Sequence, residues 1–168
     1  MSKRALKKYL TELKKTELEM QLLDLYDRFP AVKAYYDFVF NPKEDKLLQA
    51  AKMKISNEYF PLKRKRPKAR RSIAQRYIKH FMTLGVDPHL IGDLMLFNLE
   101  TSQAFSTNKN LQDSFFKSML NSFKEAVQFI SVHGLLDEFK DRVVQIYRST
   151  QERDWPYAED FSKAIDIW

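Results

Sequence analysis

Residues 16–42 read TELEMQLLDLYDRFPAVKAYYDFVFNP, a stretch that makes sense only as two helices meeting at a proline. Leu18, Leu22, Leu25, Tyr26 and Phe29 recur at helical spacing along one face. Thr16 followed three residues later by Glu19 predicts a capping box at the start of that helix. Pro30 cannot continue it, yet proline suits a first helical turn, so Pro30 opens a further helix with the stripe Val32, Tyr35, Tyr36 and Val39. Asn41-Pro42 closes this second one.

The same grammar extends in both directions. Leu6, Tyr9, Leu10 and Leu13 share a face of a first helix that ends near Lys14 and Lys15, whose charges suit a helix C-terminus. A fourth helix over residues 43–59 turns Leu47, Leu48, Ala51 and Ile55 inward. Ser72 and Gln75 predict a capping box for a fifth, which carries Ile73, Tyr77, Phe81 and Leu84 to a stop at Gly85. Asp87-Pro88 reads as N-cap and first turn of a sixth, with Leu90, Ile91, Leu94 and Phe97. Residues 111–133 show two apolar stripes, Phe116/Leu120/Phe123/Val127/Ile130 and Phe115/Met119/Ala126/Phe129, which places a seventh helix at the centre with Gly134 as its cap. An eighth uses Leu136, Phe139, Val143, Ile146 and Tyr147, and a short last helix offers Phe161, Ile165 and Trp168 as a docking clasp.

These segments fill the 168 residues, and three glycines are too few for the turns of a β-rich fold. The expectation is an all-α single domain over residues 1–168, with about eight or nine antiparallel helices in an up-and-down bundle or a short stack of helical hairpins. The absence of cysteine excludes disulfides and thiolate metal sites and fits a reducing cytosol. With neither a signal-peptide core nor a run of apolar residues long enough to span a bilayer, the expected location is cytoplasmic.

Charge is distributed unevenly. KRKRPKARR (residues 63–71) holds seven cations, and no acid lies between Glu58 and Asp87. Of the 29 lysines and arginines, nine fall in residues 59–86, leaving 20 to face all 22 acids, so the net charge of +7 comes from this one region. Residues 61–71 form a basic connector between the fourth and fifth helices. Lys63, Arg64, Lys65, Arg66, Lys68, Arg70, Arg71, Ser72, Arg76 and Lys79 are the candidate site for a phosphate or acidic group. Arg70 and Arg71 sit at a helix N-terminus whose dipole disfavours cations, a penalty that a bound anion reverses. Tyr59, Phe60, Tyr77 and Phe81 flank the cations and are candidates for stacking on bases, although Tyr77 and Phe81 also belong to the apolar stripe.

Catalytic motifs give no positive signal. A P-loop, a dinucleotide fingerprint and a serine-hydrolase elbow all need glycines at fixed spacing. His89 and Asp93 could share a metal but read as a surface hydrogen-bonding pair, and His133 before Gly134 reads as a partner for a helix C-terminus. No catalytic residue, metal or cofactor is assigned. The expected function is a non-enzymatic binding module that uses residues 63–79 to engage the phosphate backbone of nucleic acid or an acidic protein surface. Two alternatives stand beside it: a scaffold of stacked helices in which the basic segment only keeps a connector soluble, and an enzyme with an unrecognised carboxylate site. Peripheral membrane contact is not expected, because the apolar stripe of the basic first helix reads as packing on the second.

The stretch NEYFPLKRKRPKARRSIAQRYIKHFMTLGVDP (57–88), with AYYDFVFNPKEDKLL (34–48) before it, resembles a small bacterial family of helical proteins known only as a domain of unknown function. The resemblance implies a bacterial, cytosolic, all-helical protein and brings no catalytic residues with it.

Overall fold

Nine helices, and no strand, make up the described residues of the computed structural model, which are 2–63, 66–107 and 109–166. They are α1 (Lys3–Glu12), α2 (Lys15–Arg28), α3 (Pro30–Phe40), α4 (Glu44–Tyr59), α5 (Arg71–Leu84), α6 (Pro88–Ser106), α7 (Asp113–Val132), α8 (Leu136–Glu152) and α9 (Ala158–Ile165). The chain divides into two compact units, Met1–Lys43 and Glu44–Trp168.

In the first unit, one residue serves two helices. The Phe29 N–H donates to Leu25 O and so closes α2, while the Phe29 carbonyl accepts from Val32 and Lys33 and so starts α3. Pro30 occupies the first position of α3, where its missing N–H removes nothing the helix would use. Tyr26 Oη donates to Asp37 Oδ1 at 2.7 Å across the α2–α3 pair. The expected Thr16–Glu19 box lies two residues late. Glu17 makes the reach-back instead, accepting from the Lys14 N–H at 2.7 Å, so Lys14 and Lys15 begin α2 where a lysine terminus for α1 was expected. No described residue of this unit is buried.

The second unit is organised around α6. This helix packs against α4, α5, α7 and α8, and it buries Ile91, Leu94, Met95, Leu96, Leu99 and Phe105 together with polar residues. The expectation of α7 at the centre is therefore corrected. Phe115, Phe116 and Phe129 of α7 are only partly buried, so neither of its two stripes is covered along its whole length. Gly92 lets α6 close on α8, since a Cβ there would stand 3.1 Å from the Phe139 ring. Gly85, at φ 75°, ends α5 in the left-handed conformation that its sequence position predicts. Asp87 caps α6 by accepting from the His89 N–H at 2.8 Å. At the other end of the chain, α9 packs on α7 and α8 with Phe161 fully buried, and Trp155 donates from Nε1 to Ser106 Oγ. Trp168, the last residue of the expected clasp, lies outside the described residues.

Three helices are also tied by charge. Asp93 on α6 receives Lys52 Nζ of α4 at 2.6 Å on one oxygen and Arg142 Nη1 of α8 at 2.8 Å on the other. The same guanidinium holds Glu100 with two hydrogen bonds of 2.9 and 3.0 Å. Burial alone would lift the Asp93 carboxyl, but the hydrogen bonds and charges of Lys52 and Arg142 outweigh it and hold the group below its ordinary value. A pKa depressed in the folded state gives stability that is present well above the unfolded value of about 3.9 and is lost as pH falls through the lower folded value. Asp93→Asn is therefore expected to lower stability at neutral pH by about 1–2 kcal/mol and to flatten the acid limb below about pH 4, as followed by urea titrations across pH.

Candidate anion-binding segment

The basic connector starts where α4 ends, and its own backbone pins it there. Beyond Tyr59 the Leu62 N–H is caught by Asn57 Oδ1 at 3.2 Å. Ten residues after Glu58, the chain returns to it: the Lys68 and Ala69 N–H groups both donate to the Glu58 carbonyl, at 3.1 and 2.9 Å. An unsatisfied C=O near a helix C-terminus thereby gains two donors, and Ala69 takes a left-handed φ of 47° to deliver the second. The neck of the loop is fixed by these bonds.

Side chains then neutralise the part of the segment nearest α5. Arg70 forks onto the Glu58 carboxylate, Nε to Oε2 at 2.9 Å and Nη2 to Oε1 at 3.0 Å, and these bonds raise its already high pKa. Arg71 donates from Nε to Ser122 Oγ at 2.7 Å, and its Nη2 lies 2.7 Å from Glu125 Oε1. That second contact is ionic, its geometry falling outside a directed hydrogen bond. Gln75 donates to the other Glu125 oxygen at 2.8 Å. The anion that two arginines at a helix N-terminus call for is thus provided by the protein's own α4 and α7.

The outer part stands differently. Lys63, Arg66 and Lys68 on the connector, and Arg76 and Lys79 on α5, are exposed, and among the described residues none of the five forms an ion pair. Arg76 lies over the Tyr77 ring at 5.7 Å. Arg64 and Lys65 lie outside the described residues. Ser72 is exposed and does not cap α5. The helix begins one residue earlier, at Arg71, with Arg70 as an N-cap that makes no side-chain bond. The expected Ser72–Gln75 box is replaced because Gln75 is drawn to Glu125.

The aromatic flank is corrected as well. Tyr59 and Phe81 are each 1% exposed and belong to the core, Tyr59 donating from its hydroxyl to Asn98 Oδ1. Burial, with the charge of Glu58, drives the Tyr59 hydroxyl far above its usual pKa. Phe60 stays 45% exposed and Tyr77 is half-buried. His89 does not meet Asp93; its Nε2 lies 3.2 Å from Glu138, while Asp93 belongs to the Lys52–Arg142 network. His133 acts as expected at the end of α7, with Nδ1 2.8 Å from Phe129 O. Among the described residues, no three histidines, aspartates or glutamates gather as metal ligands, and no helix is long and apolar enough to cross a membrane.

The residues that sequence reasoning missed are the two acids that divide the segment. Glu58 carried a signal, since it is the last acid before the acid-free stretch and lies within reach of a short connector's return. Glu125 carried none, being 54 positions beyond Arg71 with only the folded structure to bring them together. Replacing Glu58 with Gln releases Arg70 from its charge partner. The expected result is a lower urea midpoint together with elution from heparin at higher salt, and both shifts can be read on one preparation.

No curated protein and no solved structure matches the chain. A family model matches residues 1–168, and the chain belongs to the Family of unknown function (DUF6155).

Proposed function

We propose that this protein is a non-enzymatic binding module whose outer cation strip, Lys63, Arg66 and Lys68 continued by Arg76 and Lys79, engages a polyanion, with the phosphate backbone of nucleic acid as its ligand. The observation that carries this reading is the absence of any ion pair on these five exposed cations among the described residues, in a region with no acid from residue 59 to residue 86. Cations held apart from the protein's own carboxylates attract counterions that a polyphosphate would displace on binding. With Tyr59 and Phe81 in the core, stacking is left to Phe60 and the half-buried Tyr77, so recognition rests chiefly on the backbone and is tolerant of sequence.

Duplex DNA retention measured against salt tests the reading. Five phosphate contacts give a slope of log affinity on log salt of about −4.5, and Lys63→Gln, Arg66→Gln and Lys68→Gln together reduce its magnitude by about 2.7. Retention and slope unchanged in that triple variant would remove the proposal.

A second reading, a protein-interaction scaffold, is favoured by the first unit. Phe40, Met20 and Leu23 are 81, 71 and 64% exposed, and a hollow of about 560 Å³ lined by Leu22, Leu23, Tyr26, Tyr36 and Phe40 opens between α2 and α3. So much apolar surface on so small a unit marks an interaction face. A defined protein that co-purifies after nuclease treatment, and is lost on Leu23→Asp, would support this reading; co-purification that nuclease abolishes would oppose it.

A further inference from the structure

Away from the connector, the second half of α7 forms a ridge between two adjoining hollows. One, of about 380 Å³, has Met82 of α5, Met95 of α6 and Phe129 of α7 among its walls; the other, of about 560 Å³, runs toward Ala164 of α9. Gln128 and Val132 line both, so the two hollows flank the same stretch of α7. Val132 and Met82 are open to solvent, 74% and 45% exposed, above a floor to which the buried Ile78, Met95, Val127 and Ala164 contribute.

Cations predominate on the rim. Lys79 lines the first hollow, and Lys124 and Lys163 line the second; among the described residues none of the three forms an ion pair. Glu125 is the one acid lining either hollow, and Arg71 and Gln75 already engage both of its oxygens. The ring of His133 lies against Phe129, centroids 4.0 Å apart, and its Nδ1 is committed to the Phe129 carbonyl.

We propose that this groove over α5, α7 and α9 is the docking site for an acidic amphipathic helix of a partner protein. Charge complementarity selects the acidic face, and the methionine- and valine-lined floor selects the apolar one, since thioether side chains adapt to whatever apolar residues arrive. The ridge from Lys124 to His133 is about 15 Å long, the span over which a docked helix places anchors at i, i+3 or i+4, and i+7. A phosphate backbone finds no use for an apolar floor, and a flat bilayer does not fill concave hollows. The proposal goes beyond the polyanion strip, with which it shares only Lys79.

The experiment uses the full chain and three probes: a helical peptide of about 14 residues with leucines on one face and glutamates on the other, the same peptide with lysines in place of the glutamates, and vesicles rich in phosphatidylserine. The glutamate peptide is expected to bind, and at least tenfold more weakly to Val132→Glu and to the Lys124→Glu/Lys163→Glu pair, both on exposed positions whose folding is checked by circular dichroism. The Lys63/Arg66/Lys68 triple variant should bind it unchanged while losing DNA, which separates failure of the groove from failure of the strip. No binding of the glutamate peptide, equal binding of the lysine peptide, indifference to Val132→Glu, or vesicle binding that Val132→Glu abolishes in place of peptide binding would each overturn the proposal.

Discussion

A helix enclosed by four others has little water to turn to, and the second unit is arranged around that constraint on α6. Its buried polar groups are satisfied within the fold. Ser102, Thr101 and Ser106 donate to carbonyls three or four residues back along their own helix, and Gln103 donates to the Ile146 carbonyl of α8. Asn98 accepts from Tyr59 of α4. The last two bonds join neighbouring helices, so they do more than avoid a desolvation cost: they fix where α4 and α8 lie along the central helix. The Asp93 network repeats the same link with charge, again joining α4, α6 and α8. A slip of either outer helix would strand a buried polar group at about 1–3 kcal/mol each.

That placement of α4 decides how the basic segment presents itself. Glu58 faces inward, with its side chain 8% exposed, and its carbonyl and carboxylate together receive Lys68, Ala69 and Arg70. One residue therefore anchors the return of the connector and neutralises Arg70, the N-cap of α5. Glu125 of α7 pairs with Arg71, the first residue of α5. What reaches outward is the remainder, a shorter strip than the run of cations in the sequence suggests.

The local signals were legible and the distant ones were not. Pro30, Gly85 and the Asp87-Pro88 pair each act within a turn of themselves, and each sits where its chemistry predicts. The capping boxes failed for a related reason. Glu17 and Glu19 are both near enough to reach back, and Gln75 had a competitor for its amide in Glu125 that no local window contains. The centrality of α6 had a faint mark in the sequence, a stretch from residue 80 to residue 108 without a lysine or arginine. The paired stripes of α7 drowned it out, because periodicity reports how much of a helix is apolar and not which neighbours arrive to cover it. For the site, the cations were plain and their partners were hidden, since Arg71 and Glu125 become neighbours only through the packing of α5 near α7.

The strip and the groove differ in the physics that would hold a ligand. On the strip, affinity would come from counterion release by exposed cations, fading as salt rises and asking little of the shape of the ligand. In the groove, the apolar floor would give a contribution that salt does not screen, and the rim lysines would act chiefly in steering and orientation. A chain with both has two surfaces that respond to different conditions while sharing one side chain, Lys79, at their border. Because that lysine sits about one turn from Arg76 on α5, an acidic helix seated in the groove would lower the positive field at the near end of the strip, and the two ligands would then oppose each other there.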